Sequence, residues 1–294
     1  AMGSNGGYGI TSGDYNICLG VESGYSLQSS NGSIAIGRRA GKASTVSITA
    51  VGYEAAAANT TGTNNTAFGY ESLNSNTTAS NNTALGNVAL NATTTGSFNT
   101  AVGGHSLHVN TTGAENTACG LQALDANTTG SNNVAVGVNA LTANTTADSN
   151  TAIGYSSLLA NTTGTTNTAI GVNAGYAASV NGNATGSNNT FIGHNSVGTS
   201  TSASNVVTLG DGSISTLRCQ VQTITSLSDE RDKKDIFNLN AGLDFLNKLR
   251  PVSFTWNTRD KAKVDIEDNG IYCSRTNCCT RRYWNYNTKF NQCR

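Results

Sequence analysis

Along the first 210 residues, two apolar columns recur at a spacing of 17, separated by stretches of Asn, Thr, Ser and Ala. One column lies directly before a glycine (Phe68, Leu85, Val102, Cys119, Val136, Ile153, Ile170), and the other lies four residues after it (Leu73, Leu90, Leu107, Leu124, Leu141, Leu158). The glycines, Gly69, Gly86, Gly103, Gly120, Gly137, Gly154 and Gly171, keep the same spacing without a break. NTAFGYESLNSNTTASN and NTAIGYSSLLANTTGTT are typical units. Outside this run the pattern continues with defects. Gly37 to Gly52 is 15 residues and Gly171 to Gly193 is 22, and the five extra residues around Val180 to Gly186 are expected to form a protruding loop.

A 17-residue unit is too short for a helical hairpin repeat, and this density of Thr, Asn and Gly opposes a helix. The pattern predicts an all-β fold: a parallel β-solenoid or β-roll with one coil per unit, short strands such as TAFG and TAIG, and turns at NTTG. Stacked coils place equivalent residues above one another, so Asn110, Asn127, Asn144 and Asn161 are expected to form amide ladders. The glycine column marks a bend where a Cβ would clash. Two large apolar side chains per coil make a thin core, and association of several chains around an axis, as a homotrimer, would supply a second buried face.

Composition narrows the class. With 12% charged and 6% aromatic residues, 33 glycines and one proline, the chain does not resemble an ordinary enzyme domain. A formal net charge of zero argues against a nucleic-acid surface. No apolar run reaches the roughly 18–20 residues of a membrane span, and no charged start with an apolar core marks a secretion signal. The leading AMGS reads as a cloning remnant, outside the fold. Charge is also unevenly placed. Only Arg38, Arg39, Lys42 and Arg218 are basic before residue 228, whereas 228–294 is dense in both signs. The expected organisation is therefore a repeat shaft over 5–204, a neck over 205–227 and a small α+β segment over 228–294.

Several residues suggest chemistry and have plainer readings. The Asn-Thr-Thr triplets at Asn59, Asn76, Asn110, Asn127, Asn144 and Asn161 match the glycosylation acceptor pattern, but their place in the repeat favours turn formation and stacking. His105, His108 and His194 fit no standard metal-ligand spacing, and neither a metal nor a cofactor is expected. Cys18 and Cys119 read as buried thiols in the core column. A Thr-rich face keeps an ice-binding solenoid open as an alternative, although Thr is concentrated in the turn triplet rather than in paired ranks along a strand.

The sequence becomes specific at RCQVQTITSLSDERDKKDI, followed by LNAGLDFLNKLRPVSFTWNTRD. Asn240 can cap a helix with Leu243, Leu246 and Leu249 near one face, and Pro251 stops it. Val252, Phe254 and Trp256 then alternate as a half-buried strand. The SDxRxK core, here Ser228, Asp229, Arg231 and Lys233, together with Leu249 to Asn257, resembles the endosialidase-type intramolecular chaperones at the C-termini of tail spikes and fibres. The repeat itself resembles the NTAxG arrays of phage and viral tail-fibre-like proteins, and its xAIG core is similar to the heads of trimeric autotransporter adhesins.

That resemblance implies a domain that trimerises the fibre, assists its folding and releases itself by cutting the chain beside the motif serine. Ser228 would be the nucleophile and Lys233 the base, with its ammonium pKa lowered by burial and by neighbouring cations, and with Asp229 and Arg231 in support. The same residues also fit a solvated helix start, with Ser226 and Asp229 as a capping box and Glu230 and Lys234 as an i,i+4 pair. After DIEDNG the chain departs from the family, which continues with an apolar helix opening GFIAQE. With AT-rich codons, residues 271–285 read one base out of frame spell FIAQELIAVQEDTG, so a frameshift near Gly270 is expected. On that reading Cys273, Cys278, Cys279 and Cys293 are accidental, and the truncated chaperone is not expected to cleave.

The functional expectation is a structural fibre or attachment protein of a virion or phage tail, trimerised by its C-terminal segment. Its partners would be two further copies of itself and a host cell-surface glycan or protein, and a host-surface adhesin is the alternative reading. One outcome follows from the charge gap alone. Exhaustive trypsin digestion of the denatured chain should release Ala43–Arg218 as one fragment, observable by intact mass spectrometry, because no Lys or Arg lies between Lys42 and Arg218.

Overall fold

The computed structural model describes residues 2–176 and 183–216, together with the backbone of 250–257 and 264–272. The chain divides into two compact units, Ala1–Arg218 and Cys219–Arg294. In the first, twelve three-residue strands form one parallel sheet in strict sequence order, from β1 (Ile17–Leu19) to β12 (Val207–Leu209). Each strand stacks in register on the next: in β4 (Thr66–Phe68) and β5 (Thr83–Leu85), Thr66 faces Thr83, Ala67 faces Ala84 and Phe68 faces Leu85. This is the parallel β-solenoid of 17-residue coils that the repeat predicts, and no α-helix occurs among the described residues. The register also takes in the leading residues excluded above, since Met2 bridges Leu19 and Gly3 lies against Gly20.

The core differs from the sequence reading in one respect. Alternation along the strand turns the middle alanine inward and both its neighbours outward. Ala67, Ala84, Ala101, Ala118, Ala135, Ala152 and Ala169 are fully buried, whereas Phe68 is 52% exposed and Leu85, Ile153 and Ile170 are exposed with it. The column before the glycine is therefore an outer ridge, not core. Cys119 belongs to that ridge and is exposed, while Cys18 occupies the alanine column and is buried, so only one of the two thiols is internal. Burial pushes the Cys18 thiol pKa up, because desolvation penalises the thiolate. The column four residues after the glycine is internal as expected, with Leu73, Leu90, Leu107, Leu124, Leu141 and Leu158 all inaccessible.

Those leucines adopt φ of 48–54°, a region that costs a non-glycine residue on the order of 1–3 kcal/mol. Hydrogen bonds to neighbouring coils hold the turn there. Two residues before Leu73, the Glu71 amide donates to Tyr53 in the preceding coil, and the Leu73 amide donates to Ala89 in the following one. Where the leucine is replaced by glycine, a larger side chain from elsewhere in the coil stack fills the space. Gly24 lies against Leu27 and Cys18, Gly41 against Ile48, and Gly175 against Phe191.

At the main glycine column the constraint is stacking. A Cβ on Gly120 would lie 2.4 Å from the Gly137 carbonyl oxygen, and its φ of 141° is strained for any L side chain. The expected amide ladder is present and is deeper than the sequence suggested. Asn127 Nδ2 donates to Asn110 Oδ1 at 2.9 Å and to its own turn's Gly130 carbonyl at 2.9 Å, and Asn144 repeats this on Asn127 and Ala147. A second column, not anticipated, runs through Asn82, Asn99, Asn116, Asn133 and Asn150. There each Oδ1 accepts the backbone amide of the next coil, as from Asn116 N to Asn99 Oδ1 at 3.0 Å. A rank of threonine hydroxyls lies beside the first ladder, with Thr111 donating to the Thr128 carbonyl and Thr128 to that of Thr145.

The protruding loop expected from the five-residue excess falls largely on 177–182, outside the described residues. Beyond it the ladders resume with a 22-residue step, Asn183 Nδ2 donating to Asn161 Oδ1. In the second unit the described backbone is a two-stranded antiparallel sheet of β13 (Arg250–Asn257) and β14 (Val264–Tyr272). β13 contains the strand predicted from Val252 to Trp256. The helix predicted from Asn240 lies outside the described residues.

The first ladder has one break. Thr93 stands where the neighbouring coils carry Asn, and it leaves Asn76 Oδ1 buried without a donor. Thr93→Asn should restore the missing bond and raise stability by about 1 kcal/mol. Leu124→Ala, in contrast, should lower it by about 2–5 kcal/mol. Urea denaturation followed by circular dichroism separates these outcomes, and equal midpoints for Thr93→Asn and wild type would count against the ladder's role.

Candidate functional site

Ser228, Asp229, Arg231 and Lys233, the residues to which the SDxRxK resemblance assigns self-cleavage, lie outside the described residues. The nearest described elements of the same unit are β13 and β14. Their register places Pro251 opposite Ile271, Val252 opposite Gly270 and Trp256 opposite Ile266, with an irregularity between Trp256 and Asn257. Gly270, where the sequence departs from the expected family continuation, thus sits inside a strand.

On the solenoid, the candidate surfaces follow from which columns point outward. The ridge before the glycine is continued on its far side by a second exposed column one residue after it, with Tyr53, Tyr70, Leu121, Val138, Tyr155 and Val172. Tyr53 and Tyr70 stack with ring centroids 5.1 Å apart and 8° between planes. The ridge runs as an apolar column along the sheet, and the second column widens it except where Arg38, Asn87, Gly104 and His194 interrupt it, on an otherwise Asn- and Thr-rich surface. The outward threonines of the strands, Thr66, Thr83, Thr100 and Thr117, form a single exposed rank rather than paired ranks.

Charge is concentrated at the N-terminal coils. Glu22, Arg39 and Glu54 occupy the same coil position in three successive turns, so their signs alternate along the stack. Arg39 bonds Glu54 at 2.7 Å and approaches Glu22 at 3.5 Å, and Lys42 bonds Glu22 at 2.8 Å. The Lys42 hydrogen bond is the main influence holding the Glu22 carboxyl pKa below its usual range. Burial pulls Glu54 upward, but hydrogen bonding and charge from Arg39 outweigh it and leave that carboxyl lowered too.

The triplet asparagines are unavailable to modification in the folded chain. Asn59, Asn76, Asn110, Asn127, Asn144 and Asn161 are fully buried, and their Nδ2 groups are engaged in hydrogen bonds, which is the stacking reading of the motif. The histidines are less scattered than their spacing suggests. His105 and His108 meet edge to face with centroids 5.0 Å apart, while His194 lies beside Asp211. No sequence signal gives this pair, because it depends on the tight left-handed turn of the coil, which brings together positions three residues apart.

Residues 228–271 match the family model described as the chaperone of endosialidase. Neither a curated protein nor a solved structure matches the chain. The matched segment begins at the motif serine, takes in β13, and stops one residue past Gly270, where the expected continuation is lost. A parallel β-solenoid is thus followed in this chain by a segment similar to the endosialidase chaperone.

Proposed function

We propose that the chain is a structural fibre and attachment protein of a phage tail or virion, assembled as a homotrimer through its C-terminal chaperone segment. The observation that carries this reading is the exposed apolar band on the sheet. Phe68, Leu85, Val136, Ile153, Ile170 and Ile192 are each more than a third exposed and stand in register along a rigid rod. A contiguous exposed apolar column of this kind marks an interaction surface, and an identical copy presents a column of the same pitch. The chaperone match supports the same conclusion, because a repetitive shaft gains most from a device that aligns chains before they zip together.

Attachment to a host-surface glycan or protein belongs to this reading as the role of such a fibre. In the cleavage step implied by the family resemblance, Ser228 attacks an adjacent peptide carbonyl and Lys233 takes the hydroxyl proton and passes it to the amide nitrogen; the C–N bond breaks, the amine leaves, and water hydrolyses the acyl-serine ester to a carboxylate and the free hydroxyl. The family match stops at residue 271, which favours a chain that stays joined.

Two measurements test these statements. Light scattering should give three times the chain mass of 30.2 kDa, and Val136→Asp with Ile153→Asp should shift it toward one. A stable monomer of the wild type would refute the trimer. Intact mass spectrometry of freshly expressed wild type and Ser228→Ala should give full-length chains for both, whereas loss of the C-terminal segment in the wild type alone would establish an active Ser/Lys pair.

A further inference from the structure

At one place on the shaft, and on one pair of coils, three groups with metal-ligand chemistry converge. His105 and His108 lie two and five residues after Gly103, and Asp125 lies five after Gly120, directly above His108 in the stack. Their ligand atoms all fall within 4.8 Å of one another, and all three residues are half-buried. No other such group of three occurs among the described residues.

One separation in the cluster has the scale of coordination. His108 Nδ1 is 3.4 Å from Asp125 Oδ1, and that oxygen is buried with no hydrogen-bond donor. A shielded carboxylate oxygen gains from a positive partner, which either a protonated His108 or a bound cation supplies. Zinc bonds of about 2.0–2.2 Å to nitrogen and oxygen, set at the tetrahedral angle, separate two ligand atoms by about 3.4 Å. The imidazole and the carboxylate therefore already stand at the edge length of a tetrahedral site, with the second imidazole beside them.

The backbone that carries these groups is rigid. The His105 amide donates to the Asn87 carbonyl at 2.9 Å, the Ala92 amide donates to the His108 carbonyl at 3.0 Å, and both histidines flank the buried Leu107. The ligands thus need little rearrangement to bind, and an ion would join two successive coils through their side chains.

We propose that His105, His108 and Asp125 form a binding site for a divalent transition metal of the zinc type, a clip between the Gly103 and Gly120 coils with its fourth position open to water. Two imidazoles and one carboxylate suit Zn2+ and its borderline neighbours rather than Ca2+ or Mg2+, which prefer all-oxygen sets. The site uses none of the residues of the apolar ridge or of the segment 228–271, and it does not depend on trimer formation.

The repeat supplies substitutions that the fold already tolerates. His105→Val copies Val88, His108→Asn copies Asn91 and Asp125→Thr copies Thr142, each found at the same coil position one turn away. Isothermal titration of the full chain with zinc chloride should show one site per chain that weakens by about tenfold or more in each variant. His194→Ala, remote from the site, should bind as the wild type does. Thermal melting with and without zinc should show stabilisation in the wild type and in His194→Ala only, and melting in chelator should confirm that the three variants remain folded. Zinc affinity unchanged in the three variants would place the ion elsewhere, for example on the terminal cysteines, and would overturn the proposal. So would the absence of binding to the wild type.

Discussion

Everything in the shaft depends on how closely one coil can approach the next. The main-chain bonds between coils form only if the bend residue of each coil lies against the carbonyl of its neighbour, and at that distance no Cβ fits. Gly120 and its equivalents make the approach possible. The two asparagine columns and the threonine rank then satisfy buried polar groups that the stacking creates. Because each coil contacts only the coils on either side, stability accumulates by neighbours rather than around one central core. The core itself can accordingly be narrow, with one leucine and a few alanines per coil.

A narrow core has a consequence for the outer face. In a three-residue strand of the form Thr-Ala-x, only the middle residue points inward, so the coil buries its smallest strand residue and exposes its largest. In an isolated globular protein this would be an inefficient use of apolar side chains. It is consistent in a rod whose sheet face is covered by another chain. The same geometry explains why position x varies among Phe, Leu, Val, Cys and Ile while the inner position is nearly always Ala. The inner position is fixed by intracoil packing, and the outer one need only be apolar.

The period, the strands, the glycine bends and the first asparagine ladder were all legible in the sequence, because each is a column of identical residues with a local physical reason. The inward or outward sense of the apolar columns was less accessible. Hydrophobicity alone placed Phe68 and Cys119 inside, but the alternation of a strand, applied to Thr-Ala-Phe, puts Phe68 on the same side as the exposed Thr66. The turn was harder still. Leucines at positive φ have no sequence signature, and without that turn nothing indicates that His105 and His108 meet or that Asp125 lies above them. The second asparagine column was hidden by its position next to the strand, where it reads as part of the repeat's opening triplet. Ser228 and Lys233 remain tied to their motif, since they lie beyond the described residues.

The amide ladders are also directional. In both asparagine columns the side-chain oxygen of a coil points toward the coil that follows it in the chain, where it accepts an N–H from a side chain in one column and from the backbone in the other. Each finished coil therefore exposes a pair of oriented acceptors at its C-terminal side. The stack thus has a polarity that runs with the direction of the chain. The 15-residue coil, the 22-residue coil and the glycine-for-leucine exchanges interrupt an otherwise uniform template. They make the coils on either side of them non-equivalent, so the stack cannot slide by one coil onto itself without mismatch.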